Sequence, residues 1–192
     1  MKSARLEGRQ SKRIAAFDAC LSAAVEIVLD KGAGALTMSA IAKRAGISRT
    51  SLYEYFTSKE DLVADLLLDE LKIWGDFLEN SIVSESSPRK RLEGWLQGTT
   101  NYMKSGHHQL MRKLSAIGAP EFRVLEIRNA HRKLMQPLLS SLEELGFSNP
   151  ERIASYIQGI LDTSVRRIDS GNGAEQETEY ALTLARAILG LE

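Results

Sequence analysis

TMSAIAKRAGISRTSLYEYF, residues 37–56, contains two short stretches of helical spacing separated by an Ala-Gly-Ile-Ser step. Thr37 is placed to cap the first helix, and Gly46 permits the left-handed backbone on which that helix ends. Ser48 is placed to cap the second helix. A helix of about seven residues is unstable in water by itself, so the pattern predicts that other helices support it.

The second helix is predicted to have an apolar side and a polar side. Leu52 and Phe56 lie four residues apart and point inward. The opposite side carries a cation, hydroxyl groups and phenols, namely Arg49, Thr50, Ser51, Tyr53 and Tyr55. Two helices that meet at a steep angle across a glycine-containing turn form a helix-turn-helix, whose second helix enters the DNA major groove. The stretch therefore predicts a DNA-binding domain.

The outward side chains supply the chemistry that DNA recognition uses. The Arg49 guanidinium is suited to guanine O6 and N7 or to a phosphate, and Thr50 and Ser51 are suited to bases or backbone. Tyr53 and Tyr55 are expected to donate hydrogen bonds to phosphate oxygens.

Two longer helices are predicted to support the short ones. The first spans about residues 11–31, and its apolar stripe consists of Ile14, Phe17, Leu21, Ala24, Val25 and Val28. The second begins at Ser58 and Asp61, which have capping-box spacing, and continues to about residue 80. Lys59 lies in its first turn, where unpaired backbone N–H groups offer a further anion site.

The formal net charge of zero conceals an uneven distribution. Residues 1–59 contain ten basic and five acidic side chains, and the remainder contains fifteen basic and twenty acidic ones. A basic head on an acidic body is typical of a phosphate-binding domain joined to a domain that does not bind nucleic acid. We therefore expect a DNA-binding domain over residues 1–60, with a basic arm at 1–13, although that arm is equally well read as a solvated terminus.

The composition indicates a soluble protein. The chain has 192 residues, of which 43% are hydrophobic. Its single cysteine, Cys20, is interpreted as a small buried hydrophobic residue. The first residues lack the pattern of a secretion signal, and no apolar run approaches the roughly 20 residues that cross a bilayer. These features predict a cytoplasmic location without membrane association.

Residues 61–192 are predicted to form a larger helical domain. Helices are expected to begin at Pro88, near Leu110, at Pro120 with a kink at Pro137, at Pro150 and near Ala174. With the four preceding helices, the sequence predicts an all-α protein of about nine helices. The last two helices are apolar on more than one side and must be covered twice.

The stretch GALTMSAIAKRAGISRTSLYEYFTSKEDL, residues 34–62, closely resembles the amino-terminal domain of the tetracycline-repressor (TetR) family of bacterial transcription regulators. The resemblance covers roughly residues 12–63, and beyond them it extends only to length and helical character. It implies DNA contacts at Thr37, Ser39, Arg49, Thr50, Ser51, Tyr53, Tyr55 and Lys59. Lys43 and Arg44 are open to two interpretations, a solvated face or phosphate contacts. Glu54 could accept from a cytosine, pair with Arg49 or face solvent, and we favour the last.

The resemblance also implies a homodimer in which the last two helices pair with their copies in a four-helix bundle. The residues expected at that interface are Ile157, Ile160, Ser164, Ile168, Leu184, Ala185 and Ile188. A monomer that covers both faces internally is the alternative.

The larger domain is expected to hold an effector rather than to catalyse a reaction. Large side chains that would line an apolar pocket, as in effector sites of the family, are Trp74, Phe77, Trp95, Tyr102, Met103, Met111, Phe122 and Met135; the alternative is plain core. His107 and His108 are adjacent and diverge on a helix, which does not suit one metal ion. No catalytic or cofactor motif is visible, so we predict no enzyme activity, no metal and no cofactor.

The sequence as a whole predicts a homodimeric transcription repressor on a near-palindromic operator of double-stranded DNA. An apolar or amphipathic small molecule would release it by binding better to a form with lower DNA affinity. The alternative is a protein of the same fold that binds DNA without an effector and acts through a protein partner or on chromosome organisation.

Overall fold

The computed structural model describes residues 2–82 and 87–191, with side chains from Gln10 onward. Within these ranges it contains nine α-helices, a 3₁₀ turn at Ala33–Ala35 and no β-strand, which confirms the all-α prediction. The helices are α1 (Lys2–Lys31), α2 (Met38–Ala45), α3 (Arg49–Tyr53), α4 (Lys59–Ile82), α5 (Pro88–Lys104), α6 (His107–Ser115), α7 (Glu121–Glu144), α8 (Pro150–Asp169) and α9 (Ala174–Leu189).

The chain divides into two compact units. The head unit consists of Met1–Leu67 and Leu110–Val124, and the body unit consists of Leu68–Gln109 and Leu125–Glu192. The expected boundary after residue 60 differs from this division, because the break falls within the uninterrupted helix α4. Ser58 and Asp61 mark where that helix begins, and no local signal marks where the head unit ends.

Helix α1 begins earlier than the sequence pattern indicates. It starts at Lys2 rather than near residue 11, so the backbone of the predicted basic arm is helical as far as the structure describes it. Lysine and arginine are good helix formers, which accounts for the extension. The buried side of α1 is formed by Cys20, Ala23, Ala24, Ile27 and Val28.

Ile14 and Cys20 of α1 test which side of this helix was predicted to be buried. Ile14 is 57% exposed, so its assignment to the apolar stripe was wrong; the core of the head unit begins further along the helix. Cys20 is completely buried, as predicted, and burial raises the pKa of its thiol.

The body unit is built around Trp95, which is completely buried and donates from Nε1 to the Leu134 carbonyl oxygen at 2.8 Å. The surrounding core includes Leu92, Leu96, Met103, Met135, Leu138, Leu142, Ile157 and Ala185. Pro137 lies inside α7, and the kink expected there stays a prediction. No helix in the described part of the chain is long and apolar enough to cross a membrane.

Helices α4 and α5 approach each other closely at two glycines of α5. A Cβ atom added at Gly98 would lie 2.8 Å from the Phe77 carbonyl oxygen, and one added at Gly94 would lie 2.6 Å from the Ser81 carbonyl oxygen. These distances are shorter than van der Waals contact, and the neighbouring atoms belong to backbone. The spacing of four residues therefore places two glycines where only hydrogen fits.

Gly98→Ala is accordingly expected to destabilise the protein by about 1–3 kcal/mol, because the added methyl group forces the two helices apart. The free energy of unfolding in urea would measure the loss. Gly34→Ala is the matched control, since a Cβ at Gly34 meets nothing within 4 Å. Equal stability of the Gly98 variant and the wild type would contradict the tight packing of α4 on α5.

Candidate nucleic-acid interface

Local hydrogen bonds define the two short helices of the head unit. The Thr37 hydroxyl accepts from the Ala40 N–H at 3.1 Å, and Gly46 ends α2 with φ of 71°. The Ser48 hydroxyl accepts from the Ser51 N–H at 3.0 Å and so caps α3. All three predicted terminal residues of α2 and α3 are confirmed.

Helix α3 is shorter than expected, with five residues instead of about seven. The Glu54 N–H donates to the Ser51 carbonyl at 3.2 Å, and the Tyr55 N–H donates to the Leu52 carbonyl at 3.1 Å. Such i to i−3 bonds tighten the end of a helix and use carbonyls that would otherwise lack a partner.

The inner side of α3 is held by apolar contacts. Leu52 and Phe56 are buried, and the Phe56 ring stacks on Phe17 of α1 at a centroid distance of 5.0 Å. This support explains how so short a helix persists in water, where isolated helices of this length are unstable.

The outer side of α3 presents polar groups to solvent. Arg49, Thr50 and Tyr53 are exposed, and no ion pair of Arg49 occurs among the described side chains, those from Gln10 onward. Ser51 is half-buried, and its hydroxyl lies 2.9 Å from that of Ser48. Arg49, Thr50 and Tyr53 are therefore the side chains of α3 most available to a ligand.

Tyr55 is held more firmly than the sequence indicated. Its ring packs edge-on against Phe17 at 6.2 Å, and the Arg13 guanidinium lies 5.9 Å from the ring centroid. A cation over an aromatic face is an attractive arrangement. Tyr55 is thus half-buried against α1 and brings a basic residue of α1 close to the end of α3.

The start of α4 carries the predicted capping arrangement. The Ser58 hydroxyl accepts from the Asp61 N–H at 3.1 Å, and Asp61 Oδ2 accepts from the Thr57 N–H at 2.9 Å. Lys59 is in the first turn, and its Nζ lies 3.9 Å from Glu60 Oε1 in a half-exposed pair. An exposed pair of this kind is weak, so the Lys59 ammonium remains open to a stronger anion.

The residues of α2 have different environments. Thr37 and Ser39 are exposed, as a role at the interface requires, and Lys43 is exposed as well. Arg44 instead forms ion pairs with two carboxylates of α1, Glu26 at 2.6 Å and Asp30 at 3.4 Å. Arg44 therefore links α2 to α1. This role was not among the two predicted for it from the sequence, a solvated face or a phosphate contact.

Four of the aromatic residues assigned to an effector pocket do meet in the body unit. Trp74 lies 6.1 Å from Trp95 and 5.9 Å from Tyr102 between ring centroids, and Phe77 lies 6.0 Å from Tyr102. We call Trp74, Phe77, Trp95 and Tyr102 the aromatic cluster. The Trp74 indole donates to the Thr99 hydroxyl at 3.2 Å.

The other four residues assigned to that pocket are placed differently. Met103 and Met135 are buried in the body core, at 2% and 7% exposure. Met111 and Phe122 belong to the head unit, and Phe122 is 67% exposed. No cluster of three or more potential metal-ligating side chains occurs among the described residues.

A buried polar group that the sequence patterns did not predict lies beside the aromatic cluster. Glu70 is 4% exposed; Oε2 accepts from the Tyr102 hydroxyl at 3.3 Å and lies 3.2 Å from His107 Nδ1. Burial raises the pKa of Glu70, and the bonds from His107 and Tyr102 oppose that rise. The available signal was position: Glu70 falls on the same stripe of α4 as Leu66 and Ile73.

Glu70→Gln is expected to flatten the pH dependence of stability. Because the pKa of Glu70 is higher in the folded state than in the unfolded chain, its contribution is complete below the unfolded pKa and is lost as pH rises through the folded one. The wild type should therefore lose stability relative to the variant from about pH 4 towards neutrality. Urea unfolding across that range measures this, with exposed Glu79→Gln as control; parallel curves for Glu70→Gln and wild type would exclude the effect.

The residues predicted at the dimer interface separate into two groups. Leu184 and Ile188 are 53% and 46% exposed, and Ile160 is half-buried. The others, Ile157, Ser164, Ile168 and Ala185, are buried within their own chain, at most 9% exposed. Ile157, Ile168 and Ala185 belong to the core of their own body unit, whereas Ser164 lines the same groove as Ile160 and Leu184. The dimer interface itself stays a prediction.

Two exposed tyrosines complete the outer side of α8 and α9. Tyr156 is 57% exposed and Tyr180 is 61% exposed, and both line one groove together with Ile160 and Leu184. We call Tyr156, Ile160, Tyr180, Leu184 and Ile188 the outer face of α8 and α9. Its members share a side of the body unit that the other described residues leave exposed or half-exposed.

A capped helix-turn-helix on a helical body defines a class of protein, the two-domain helical DNA-binding regulators. Residues 21–66 match the family model described as bacterial regulatory proteins, tetR family. The chain is 30% identical over 124 residues to the HTH-type transcriptional repressor KstR2 of Mycolicibacterium smegmatis, covering 62% of this chain and 60% of that protein. It therefore spans about 60% of the length of that curated relative.

Solved structures share the fold. A TetR-like transcriptional regulator from Rhodococcus sp. RHA1 has a TM-score of 0.69 at 25% identity, over 90% of this chain and 95% of that one. The transcriptional regulator FadR from Bacillus subtilis, solved in complex with stearoyl-CoA, has a TM-score of 0.70 at 18% identity, over 88% and 97%. The family model, the curated repressor and the solved structures together support a TetR-family regulator.

Proposed function

We propose that this protein is a transcriptional repressor that binds double-stranded DNA through α3. The observation that carries the proposal is the exposed guanidinium of Arg49 on a helix whose opposite side is buried. An Arg side chain there is suited to a bidentate bond with guanine in the major groove, while Thr50 and Tyr53 suit bases and phosphates. The named repressor among its relatives supports the same activity.

The repressor is proposed to act as a homodimer on a near-palindromic operator. Helix-turn-helix proteins place two recognition helices in major grooves about one helical turn or more apart, so their two-fold symmetry matches that of the site. The outer face of α8 and α9 supplies a group of neighbouring exposed apolar side chains. Contiguous apolar patches of this kind are uncommon on monomeric proteins and mark interaction sites.

Selection from a random-sequence duplex library by the purified protein tests this function. The selected duplexes should share a near-palindromic motif, and affinity for them should fall steeply with salt because phosphate contacts release counterions. Recovery of no enriched sequence, combined with no affinity for duplex DNA at low ionic strength, would refute the proposal.

Lys59→Ala is expected to weaken binding to selected and mixed-sequence duplexes by the same factor, because an ammonium that meets phosphate reads no base. The slope of log affinity against log salt should become shallower by about one per protomer. Lys72→Ala is the matched control, since Lys72 is an exposed lysine further along α4. A loss confined to the selected duplex would contradict a phosphate role for Lys59.

We also propose that the body unit holds an apolar or amphipathic effector whose binding lowers DNA affinity. The aromatic cluster provides apolar surface, and Glu70 with His107 provides polar groups beside it. The effector would act by binding better to the form with weaker DNA affinity. A structural relative that holds stearoyl-CoA makes that thioester a reasonable first probe.

Thermal unfolding distinguishes this mechanism from repression without an effector. A ligand that binds only the native state raises the midpoint temperature of unfolding by mass action. Stearoyl-CoA and a library of small apolar acids would be tested for that rise and for loss of duplex binding. If no compound produces either change, the effector-independent alternative stands.

A further inference from the structure

Arg123, in the first turn of α7, joins two carboxylates of α4 within the head unit. Its Nη1 donates to Asp61 Oδ1 at 3.0 Å, and its Nη2 donates to Asp65 Oδ1 at 2.6 Å. The three side chains are 17%, 11% and 26% exposed, in the order Arg123, Asp61 and Asp65. The guanidinium is thus a largely buried bridge rather than a surface ion pair.

The same Asp61 carboxylate also holds the turn between α3 and α4. Its other oxygen, Oδ2, accepts from the Thr57 N–H at 2.9 Å and from the Thr57 hydroxyl at 3.0 Å. Burial alone would raise the pKa of Asp61, but the bonds from Thr57 and Arg123 outweigh it and hold that pKa below its usual range. One carboxylate therefore connects Arg123 to the residues that immediately precede Lys59.

Arg123 also offsets a repulsion within α4. Asp61 and Asp65 lie four residues apart on one side of the helix, where two like charges destabilise each other. Without the guanidinium, the negative charge of Asp65 would repel the Asp61 carboxylate. Asp61 would then have to keep its bonds to Thr57 with no cation to offset that repulsion. Removing one partner of a largely buried charge pair destabilises a protein because the other charge is left uncompensated. Here the destabilised segment would be the first turn of α4.

We propose that Arg123 is a positioning residue for DNA binding, which acts through Asp61 to fix the Thr57–Lys59 turn so that Lys59 meets a phosphate. The inference rests on the proposed function. Two of the Arg123 donors are directed at Asp61 and Asp65, and the proposal assigns Arg123 no DNA contact of its own. Its effect on affinity is therefore exerted through Lys59.

A double-mutant cycle on duplex binding tests this route. Affinity for a mixed-sequence duplex at low ionic strength would be measured for the wild type, Lys59→Ala, Arg123→Met and the double variant. We expect Arg123→Met to weaken binding by about tenfold and to make the salt slope shallower by about one per protomer. The double variant should bind no more weakly than Lys59→Ala, because both changes remove the same contact.

Three controls separate positioning from loss of folding. Arg128→Met removes the same charge from an exposed position of α7 and should leave affinity unchanged. Gly98→Ala lowers stability in the body unit and should leave the affinity of the folded protein unchanged. Arg123→Lys should restore part of the affinity, since one ammonium replaces one of the two bonds. All binding would be measured at a temperature where each variant remains folded by circular dichroism.

The outcomes also separate this inference from the proposed function. Additive losses for Arg123→Met and Lys59→Ala would overturn the positioning role while leaving DNA binding intact. An affinity that falls with stability in the Gly98 variant as well would overturn it too. Absence of duplex binding by the wild type would overturn both the inference and the function on which it rests.

Discussion

Arg49→Ala is expected to lower affinity for the selected duplex by about 1–3 kcal/mol per half-site, which is roughly fivefold to more than a hundredfold. It should also relax base preference at one position of each half-site. The reason lies in the geometry of α3, where the guanidinium is exposed while Leu52 and Phe56 fix the helix from behind. Binding titrations on duplexes substituted at single positions would measure both effects.

Comparison with Lys59→Ala makes the Arg49 prediction specific. The arginine variant should discriminate less between the selected duplex and a mixed-sequence duplex, whereas the lysine variant should keep the same ratio of affinities. Equal losses from both substitutions on both duplexes would reject the division between a base-reading and a phosphate-binding residue.

If the proposed dimer forms through this face, Leu184→Glu is expected to convert it into monomers and to weaken binding to the selected duplex by more than about a hundredfold. Leu184 is 53% exposed on the outer face of α8 and α9, so a carboxylate there would be buried against apolar side chains of the second copy. When the second protomer is lost, each half-site must be bound independently. The gain in affinity from binding both half-sites together, a factor of about 10² to 10⁴, is then removed.

Sedimentation equilibrium would measure the oligomeric state, and titration of the selected duplex would measure affinity. Thr183→Glu introduces the same charge at the neighbouring exposed position of α9, which does not line the groove with Tyr180 and Leu184. It should remain dimeric. A dimeric Leu184 variant that binds as tightly as the wild type would place the interface elsewhere.

The ends of the short helices were predictable because their signals are local. Thr37, Gly46 and Ser48 act through hydrogen bonds or backbone angles within three or four residues, and such relations are visible in a single sequence. The capping arrangement of Ser58 and Asp61 was predictable for the same reason.

The contacts that hold the helices together were not predictable in the same way. Arg44 meets carboxylates of α1, and Arg123 meets Asp61 and Asp65 across more than fifty residues of chain. Periodicity shows that a helix has an apolar side and does not show which charged residues of distant helices approach. These pairs depend on tertiary packing, which a single sequence does not reveal.

The outer face of α8 and α9 shows a second limit of sequence patterns. Both helices are apolar on two sides, so each side needs a packing partner. The sequence does not show which side packs on the core of its own chain. The structure places Ile157 and Ala185 inside and leaves Tyr156 and Tyr180 outside. The sequence patterns assigned no place to these two tyrosines, whose polar end tolerates exposure.

DNA binding through α3 and Lys59 can be tested by titrating the purified protein into labelled duplexes selected from the random library, over a range of salt concentrations. We expect tight binding at low ionic strength and a linear fall of log affinity with log salt, with the slope reduced in Lys59→Ala and discrimination reduced in Arg49→Ala. Affinity that does not respond to salt and is unchanged in both variants would contradict DNA binding by these residues.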